Sequence, residues 1–121
     1  MTIEILLNPT SAPCRAVVLV LEALEIPYEY KVIDLQKGDH KTPEFLKINP
    51  YHNIPAIKDG DFCLNESRAI MSYLANKYGK ESNIYPGNDA EVRARIDQRL
   101  FFDAGVFYKA FADIVVSIDF K

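Results

Sequence analysis

Apolar residues along this chain follow two different periods, and the change between them marks out the elements. Ile3, Ile5, Leu6 and Leu7 form a short apolar run that stops at the turn formers Asn8-Pro9-Thr10-Ser11, the pattern of a buried first strand. From Ala12 to Glu25 the positions Val17, Leu21 and Leu24 recur at helical spacing; Pro13 suits a first helical turn, and Ser11 or Thr10 supplies the cap. Tyr28 to Leu35 alternates and is rich in Tyr, Val and Ile, which predicts a second strand. A helix between two such strands makes a right-handed parallel crossover.

The next stretch, Gly38 to Glu44, is polar and turn-like, and Thr42-Pro43-Glu44-Phe45-Leu46 starts a short helix that ends before Asn49-Pro50. Ile54 to Lys58 and Phe62 to Leu64 flank Asp59-Gly60-Asp61, a hairpin signal that adds two antiparallel strands and makes the sheet mixed. Glu66 to Tyr78 carries Ala69, Ile70, Tyr73, Leu74 and Tyr78 near a 3.6 period, with Gly79 as its stop. Residues 1–79 therefore read as an α/β domain of order β-α-β-α-β-β-α with four strands. Ser82, Asn83, Pro86, Gly87 and Asn88 mark 80–89 as a linker, after which Ala90 to Ala112 returns to a helical pattern. Val92, Ile96, Leu100, Phe107, Phe111 and Ile114 form one broad stripe there, wider than a chain stopping at Lys121 can cover. The expectation is that 90–121 is the first helix of a second, all-helical domain, cut short.

Composition narrows the function classes. The 121 residues are 49% hydrophobic, with 14 basic and 17 acidic side chains and a net charge of −3, which fits an ordered domain with part of a second and excludes disorder. Without a cluster of Lys or Arg, neither nucleic acid nor an anionic membrane is a favoured partner. Cys14 and Cys63 stand far apart, so neither a zinc site nor a disulfide scaffold is expected, and a reducing compartment fits. The opening residues lack a basic leader, and the longest apolar run, Ala16 to Leu21, is too short to span a membrane; the chain reads as cytoplasmic.

Four places could carry chemistry. Ser11 lies where the first strand gives way to the first helix, where backbone N–H groups favour an anion; the plainer reading is a helix cap. Cys14 is the rival reactive group, and inside a helix it is more often an inert buried thiol. His40 and His52 sit in turn-like surroundings and make no metal site without further ligands. Pro55 reads as an edge-strand proline, with a cis-proline holding backbone for a ligand as the alternative. Asn65-Glu66-Ser67-Arg68 opens the third helix, where its dipole and Arg68 would receive a small carboxylate or simply form an ordinary cap. Phosphate loops, nucleophile elbows and paired metal-binding histidines are missing from the sequence.

Ser-Ala-Pro-Cys-Arg at 11 to 15, Pro-Glu-Phe-Leu-Lys-Ile-Asn-Pro at 43 to 50, His-Asn-Ile-Pro at 52 to 55 and Glu-Ser-Arg-Ala-Ile-Met at 66 to 71 together resemble the N-terminal domain of cytosolic glutathione transferases, the insect delta and epsilon classes in particular. The resemblance implies a thioredoxin-like fold followed by an all-helical domain. It implies that Ser11 donates a hydrogen bond to the sulfur of glutathione, stabilising the thiolate. His40 and His52 would face the glycine carboxylate, and Ile54 would pair its backbone with the cysteinyl part, Pro55 being cis. Glu66 would take the γ-glutamyl ammonium, with Ser67 and Arg68 on its carboxylate. It further implies a homodimer with contacts near Ile70 and Met71, and no cofactor beyond glutathione as co-substrate. Phe107, Tyr108 and Phe111 would wall a pocket for a hydrophobic electrophile, or else belong to helix-packing core. Thr10 departs from the glycine common before the family's serine, and its Cβ would bear on the loop presenting Ser11. The segment from Ile114 to Phe120 also departs from the family. Two readings follow: an enzyme conjugating glutathione to hydrophobic electrophiles, or a non-catalytic glutathione-binding or assembly module. A glutaredoxin-like reductase would need a cysteine where Ser11 stands.

Overall fold

The computed structural model describes residues 2–119, so the parts of the 1–79 and 90–121 readings that fall on residues 1, 120 and 121 lie outside it. The chain divides into two compact units, one ending at Ile84 and one beginning at Tyr85, a division inside the segment 80–89.

The first unit contains strands β1 (Ile3–Leu7), β2 (Tyr28–Val32), β3 (Ala56–Asp59) and β4 (Phe62–Asn65), with helices α1 (Ala12–Ala23), α2 (Pro43–Ile48) and α3 (Ser67–Tyr78). The sheet order is β2-β1-β3-β4. β1 pairs parallel with β2 (Ile3 opposite Tyr28, Leu7 opposite Val32) and antiparallel with β3 (Glu4 opposite Lys58, Leu6 opposite Ala56). β3 pairs antiparallel with β4, Ala56 facing Asn65 and Asp59 facing Phe62. The sheet is therefore mixed.

Successive strand residues point to opposite faces, and β1 is apolar on both because both faces are covered. Ile3, Ile5 and Leu7 pack with Ile57 against Val17 and Leu21 of α1 and Ile70 and Leu74 of α3. Leu6 and Ala56, on the other face, pack with Ile33 and with Phe45 of α2. Ile70 is wholly buried in this core, and Met71 beside it is half-buried.

Element ends follow local chemistry. α1 stops at Ala23 rather than Glu25 because Glu25 turns left-handed, at φ 52°. The Ile26 N–H then returns to the Leu21 carbonyl and the Glu25 N–H to the Glu22 carbonyl, closing the helix end. β2 stops at Val32 rather than Leu35 because the Asp34 carboxylate accepts the N–H groups of Gln36 and Lys37, turning the chain. Thr42 caps α2 by accepting the Phe45 N–H. Gly79 closes α3 at an ordinary φ; its lack of a side chain matters because a Cβ there would lie 2.9 Å from the Ala75 carbonyl and from Leu24.

In the second unit Asp89 caps α4 (Ala90–Phe102), accepting the Val92 N–H. The Tyr85 hydroxyl donates to Asp97 at 2.7 Å and carries the Arg93 guanidinium over its ring. Where one helix over 90–121 was expected, helical backbone runs on to Asp119 but is interrupted by a π-helical segment at Asp103–Phe107, which separates α4 from α5 (Tyr108–Asp119). The wider turn brings Phe102 and Phe107, five residues apart, to a ring separation of 6.5 Å. Among the described residues no helix is long and apolar enough to cross a membrane.

Candidate functional site

Strand register explains how residues distant in sequence meet. β1 and β2 run parallel and finish at Leu7 and Val32, while β3 begins and β4 finishes at the facing pair Ala56 and Asn65. One end of the sheet therefore collects the segments after β1, after β2, before β3 and after β4. Across it, in strand order, come His40, Ser11, Ile54-Pro55 and Glu66-Ser67-Arg68. At about 4.8 Å per strand this row spans roughly 14 Å, about the length of four extended residues.

Ser11 is the cap of α1, its Oγ accepting the Cys14 N–H at 3.4 Å. A hydroxyl has one hydrogen and two lone pairs, so accepting from Cys14 leaves the hydrogen for a ligand; the cap and the anion-binding readings coexist. The loop before it is held by Asn8, whose Oδ1 accepts from both the N–H and the hydroxyl of Thr10 and whose Nδ2 reaches the Ile33 carbonyl. Thr10 thus serves as a hydrogen-bonding member of the turn. Cys14 is wholly buried, and both cysteines are free thiols.

The histidine rings lie 6.2 Å apart, His40 on a 3₁₀ turn after β2 and His52 in the loop before β3 with φ 47°. The Nδ1 atom of His40 is buried without a hydrogen bond. The Ile54–Pro55 bond is cis, and Pro55 precedes an inner strand, so the edge-strand reading is set aside. Proline makes such a bond accessible, and packing selects it.

Glu66 precedes α3 with φ 74° and ψ 106°, a backbone state that non-glycine residues hold only when their surroundings demand it. Its carboxylate meets the Arg68 guanidinium at 3.2 Å, and the same nitrogen donates to the Ser67 hydroxyl at 3.1 Å. Ser67 is buried and Arg68 half-buried, so this is more than an exposed arginine beside a cap. The N-termini of α1 and α3 both open at this sheet end, and their unpaired N–H groups and dipoles favour a ligand with negative charge.

A set of asparagines outside the four motifs' chemistry braces these loops. Asn49, 1% exposed, donates to the Asn53 carbonyl and its side-chain oxygen at 2.8 Å each and accepts the Tyr51 N–H. Asn65 joins through Asn53, linking the loop that carries His52 to the residue before Glu66. The only sequence trace is an excess of asparagine in turn-like stretches. Phe107, Tyr108 and Phe111 belong to the second unit: Phe107 and Phe111 are exposed, Tyr108 is half-buried, and the Tyr108 and Phe111 rings lie 6.4 Å apart.

Residues 1–76 match the family model of the glutathione S-transferase N-terminal domain. The chain belongs to the glutathione S-transferase family. A curated relative, glutathione S-transferase 2 of Anopheles gambiae, is 49% identical over 105 residues, covering 87% of this chain and 50% of its own length. A delta-class glutathione transferase structure from Nilaparvata lugens superposes with a TM-score of 0.87 at 50% identity, over 92% of this chain and 52% of that one. A glutathione transferase homologue from Drosophila mojavensis with bound glutathione gives 0.83 at 42% identity, over 87% of this chain and 48% of that one. This transferase-family chain thus spans about half the length of the relatives it matches. Its first unit has the thioredoxin-like fold with a mixed four-stranded sheet, and the insect delta-class match agrees with the four motifs at 11–15, 43–50, 52–55 and 66–71.

Proposed function

We propose that this chain binds glutathione along the sheet end and that Ser11 stabilises its thiolate for attack on hydrophobic electrophiles. The observation that carries the reading is Ser11 at the start of α1, with its oxygen occupied by the Cys14 N–H and its hydrogen left to give. The order of groups across the sheet suits the tripeptide. Histidines 40 and 52 take the glycine carboxylate, Ile54 beside the cis-proline takes the cysteinyl backbone, and Glu66, Ser67 and Arg68 take the γ-glutamyl end. The sulfur then falls beside Ser11.

The nucleophile is the thiolate, and a free thiol with a pKa of about 8.5 is only about 3% ionised at pH 7. A downward shift of about two units makes most of it reactive and needs about 2.7 kcal/mol of preference for the anion. One charge-assisted hydrogen bond of roughly 1.5 to 3 kcal/mol plus the α1 dipole supplies this. Glutathione is the co-substrate, and the chemistry calls for no further cofactor. The reduced thiols Cys14 and Cys63 accord with action in the cytoplasm, where glutathione is kept reduced. The homodimer expected from the family belongs to the same proposal, with sedimentation at several concentrations as its check.

Calorimetric titration with glutathione, paired with the ultraviolet absorbance of the bound thiolate across pH, tests the reading. Saturable binding with a thiol titrating about two units below its free value is expected. No binding would overturn the proposal, and binding with an unshifted thiol would leave a binding module in place of the enzyme.

A further inference from the structure

At the far end of the same sheet lies a polar cluster that the site does not use. Asp59 ends β3, only 5% exposed, and a single oxygen, Oδ2, receives three donors from α3: the Tyr73 hydroxyl at 2.6 Å, the Lys77 ammonium at 2.7 Å and the Tyr78 hydroxyl at 2.7 Å. The Lys77 ammonium also donates to the Tyr73 hydroxyl at 3.2 Å and sits over both tyrosine rings, and Phe62 packs on Tyr73 at 4.9 Å. A buried carboxylate is a poor source of stability, since apolar residues of similar volume often do as well. What three converging donors supply instead is position.

From this geometry we infer that Asp59 is a positioning residue for glutathione: it sets the axial position of α3 against β3 and thereby the placement of Ser67 and Arg68 relative to Ile54. The inference rests on the glutathione-binding reading. Apolar contacts of Ile70 and Leu74 hold α3 on the sheet but have no preferred direction along it. Hydrogen bonds of 2.6 to 2.7 Å tolerate about 0.5 Å of stretch, whereas a helix advances about 1.5 Å per residue, so all three fail before α3 slides by one residue. The helix carries this restraint rigidly from Tyr73 back to Ser67, about 9 Å along its axis. β3 carries it from Asp59 to Ala56, about 10 Å, next to the cis bond at Pro55. A misplacement of about 1 Å in a binding constellation is enough to weaken it strongly.

The test uses the 121-residue chain in three forms: wild type, Asp59→Asn, and the double variant Asp59→Leu with Lys77→Met. The double variant replaces the ion pair by apolar groups and is expected to melt within a few degrees of wild type. Calorimetry separates affinity from the folded fraction, because misfolded protein lowers the number of sites while leaving Kd unchanged. The inference expects Kd for glutathione to rise about 5- to 10-fold in both variants with the site number near wild type. A wild-type Kd in the double variant overturns it, as does a loss confined to site number. Hydrogen exchange over residues 65–71 gives a readout without glutathione: at least 5-fold faster exchange in the double variant supports the inference, and unchanged exchange refutes it. Should the wild type fail to bind glutathione, the functional reading falls, and the exchange result alone decides on Asp59.

Discussion

On the proposed reading, replacing Ser11 by alanine removes two things at once, and they differ in size and in pH dependence. The first is the cap of α1: the Cys14 N–H loses its acceptor, a contact that at 3.4 Å lies toward the weak end. Caps contribute about 0.5 to 2 kcal/mol, so a loss of about 1 kcal/mol and a Tm drop of about 4 to 8 °C is expected. The second is the hydrogen bond proposed from Ser11 to the glutathione sulfur, worth roughly 1.5 to 3 kcal/mol, or about one to two units in the bound thiol's pKa. If the wild-type value is near 6.5, about three-quarters of the bound thiol is ionised at pH 7, falling to about a quarter or about 3% in the variant. Alkylation of bound glutathione at pH 7 should then slow about 3- to 25-fold, and by less than about 1.5-fold at pH 9, where both forms are largely thiolate. Affinity at pH 7 should fall only about 3- to 4-fold, the part that linkage to the thiol pKa requires, because the charged ends of the tripeptide are held elsewhere. Ser11→Gly separates the two roles, since glycine at a cap costs only a few tenths of a kcal/mol: stability should return while the thiol stays as weakly acidic as in the alanine variant. Cys14→Ala should leave the thiol titration unaltered. A slowing of equal size at pH 7 and pH 9, or an unchanged thiol pKa, would refute Ser11 as the donor.

Other consequences are as direct. Glu25→Gly should stabilise the first unit by about 0.5 to 1 kcal/mol in thermal unfolding, since the left-handed backbone at φ 52° costs a side-chain-bearing residue about 1 to 2 kcal/mol and glycine's greater unfolded-state freedom returns only part of that. Asn49→Ala should cost about 2 to 3 kcal/mol in denaturant unfolding and weaken glutathione binding, because it strands the Tyr51 N–H and frees the loop before Ile54. Burial pushes the Asp59 carboxyl up, but its bonds from Lys77, Tyr73 and Tyr78 outweigh that and hold it below the usual range; the resulting stability is present above about pH 4 and lost as pH falls through the depressed value. Tyr73 and Tyr78 are raised, by burial first and then by Asp59, and Lys77 is raised by its bond to Asp59, so their contribution is complete below about pH 10 and fades as pH climbs further. Melting profiles of wild type against the Asp59→Leu, Lys77→Met double variant should therefore diverge at both extremes and run parallel between.

The parts of this molecule that could be read from sequence are those governed by periodicity. Val17, Leu21 and Leu24 announce α1, and Ile70 and Leu74 announce α3, because a helix must bury one stripe and the stripe is local. Ends were less legible, since they depend on a single side chain or backbone state: Asp34 turns the chain out of β2, and Glu25 closes α1 where glycine would ordinarily signal the stop. The π segment left no local signal, because one wide turn leaves an apolar pattern as broad as that of Leu100, Phe107 and Phe111 readable as a single stripe. The cis state of Pro55 was open to either reading, since packing rather than the Ile-Pro pair selects the isomer.

The candidate site draws on a different kind of information. None of Ser11, His40, Ile54 or Glu66 lies on a periodic face; Ser11, Ile54 and Glu66 sit where a strand meets a loop or a helix and His40 on a 3₁₀ turn, so local pattern says nothing of their neighbours. Their convergence follows from pairing alone: once Leu6 faces Ala56 and Ala56 faces Asn65, the loops after β1, before β3 and after β4 must share one end of the sheet. A one-residue slip of β3 would turn Ile57 from the α1 and α3 face toward α2, which the separate packing of Ile57 and Ala56 on opposite faces forbids. The core thus sets the register, and the register assembles the site. That dependence is also why Asp59 matters at a distance: apolar packing fixes which residues face which, but only directional bonds fix how far along the sheet α3 sits.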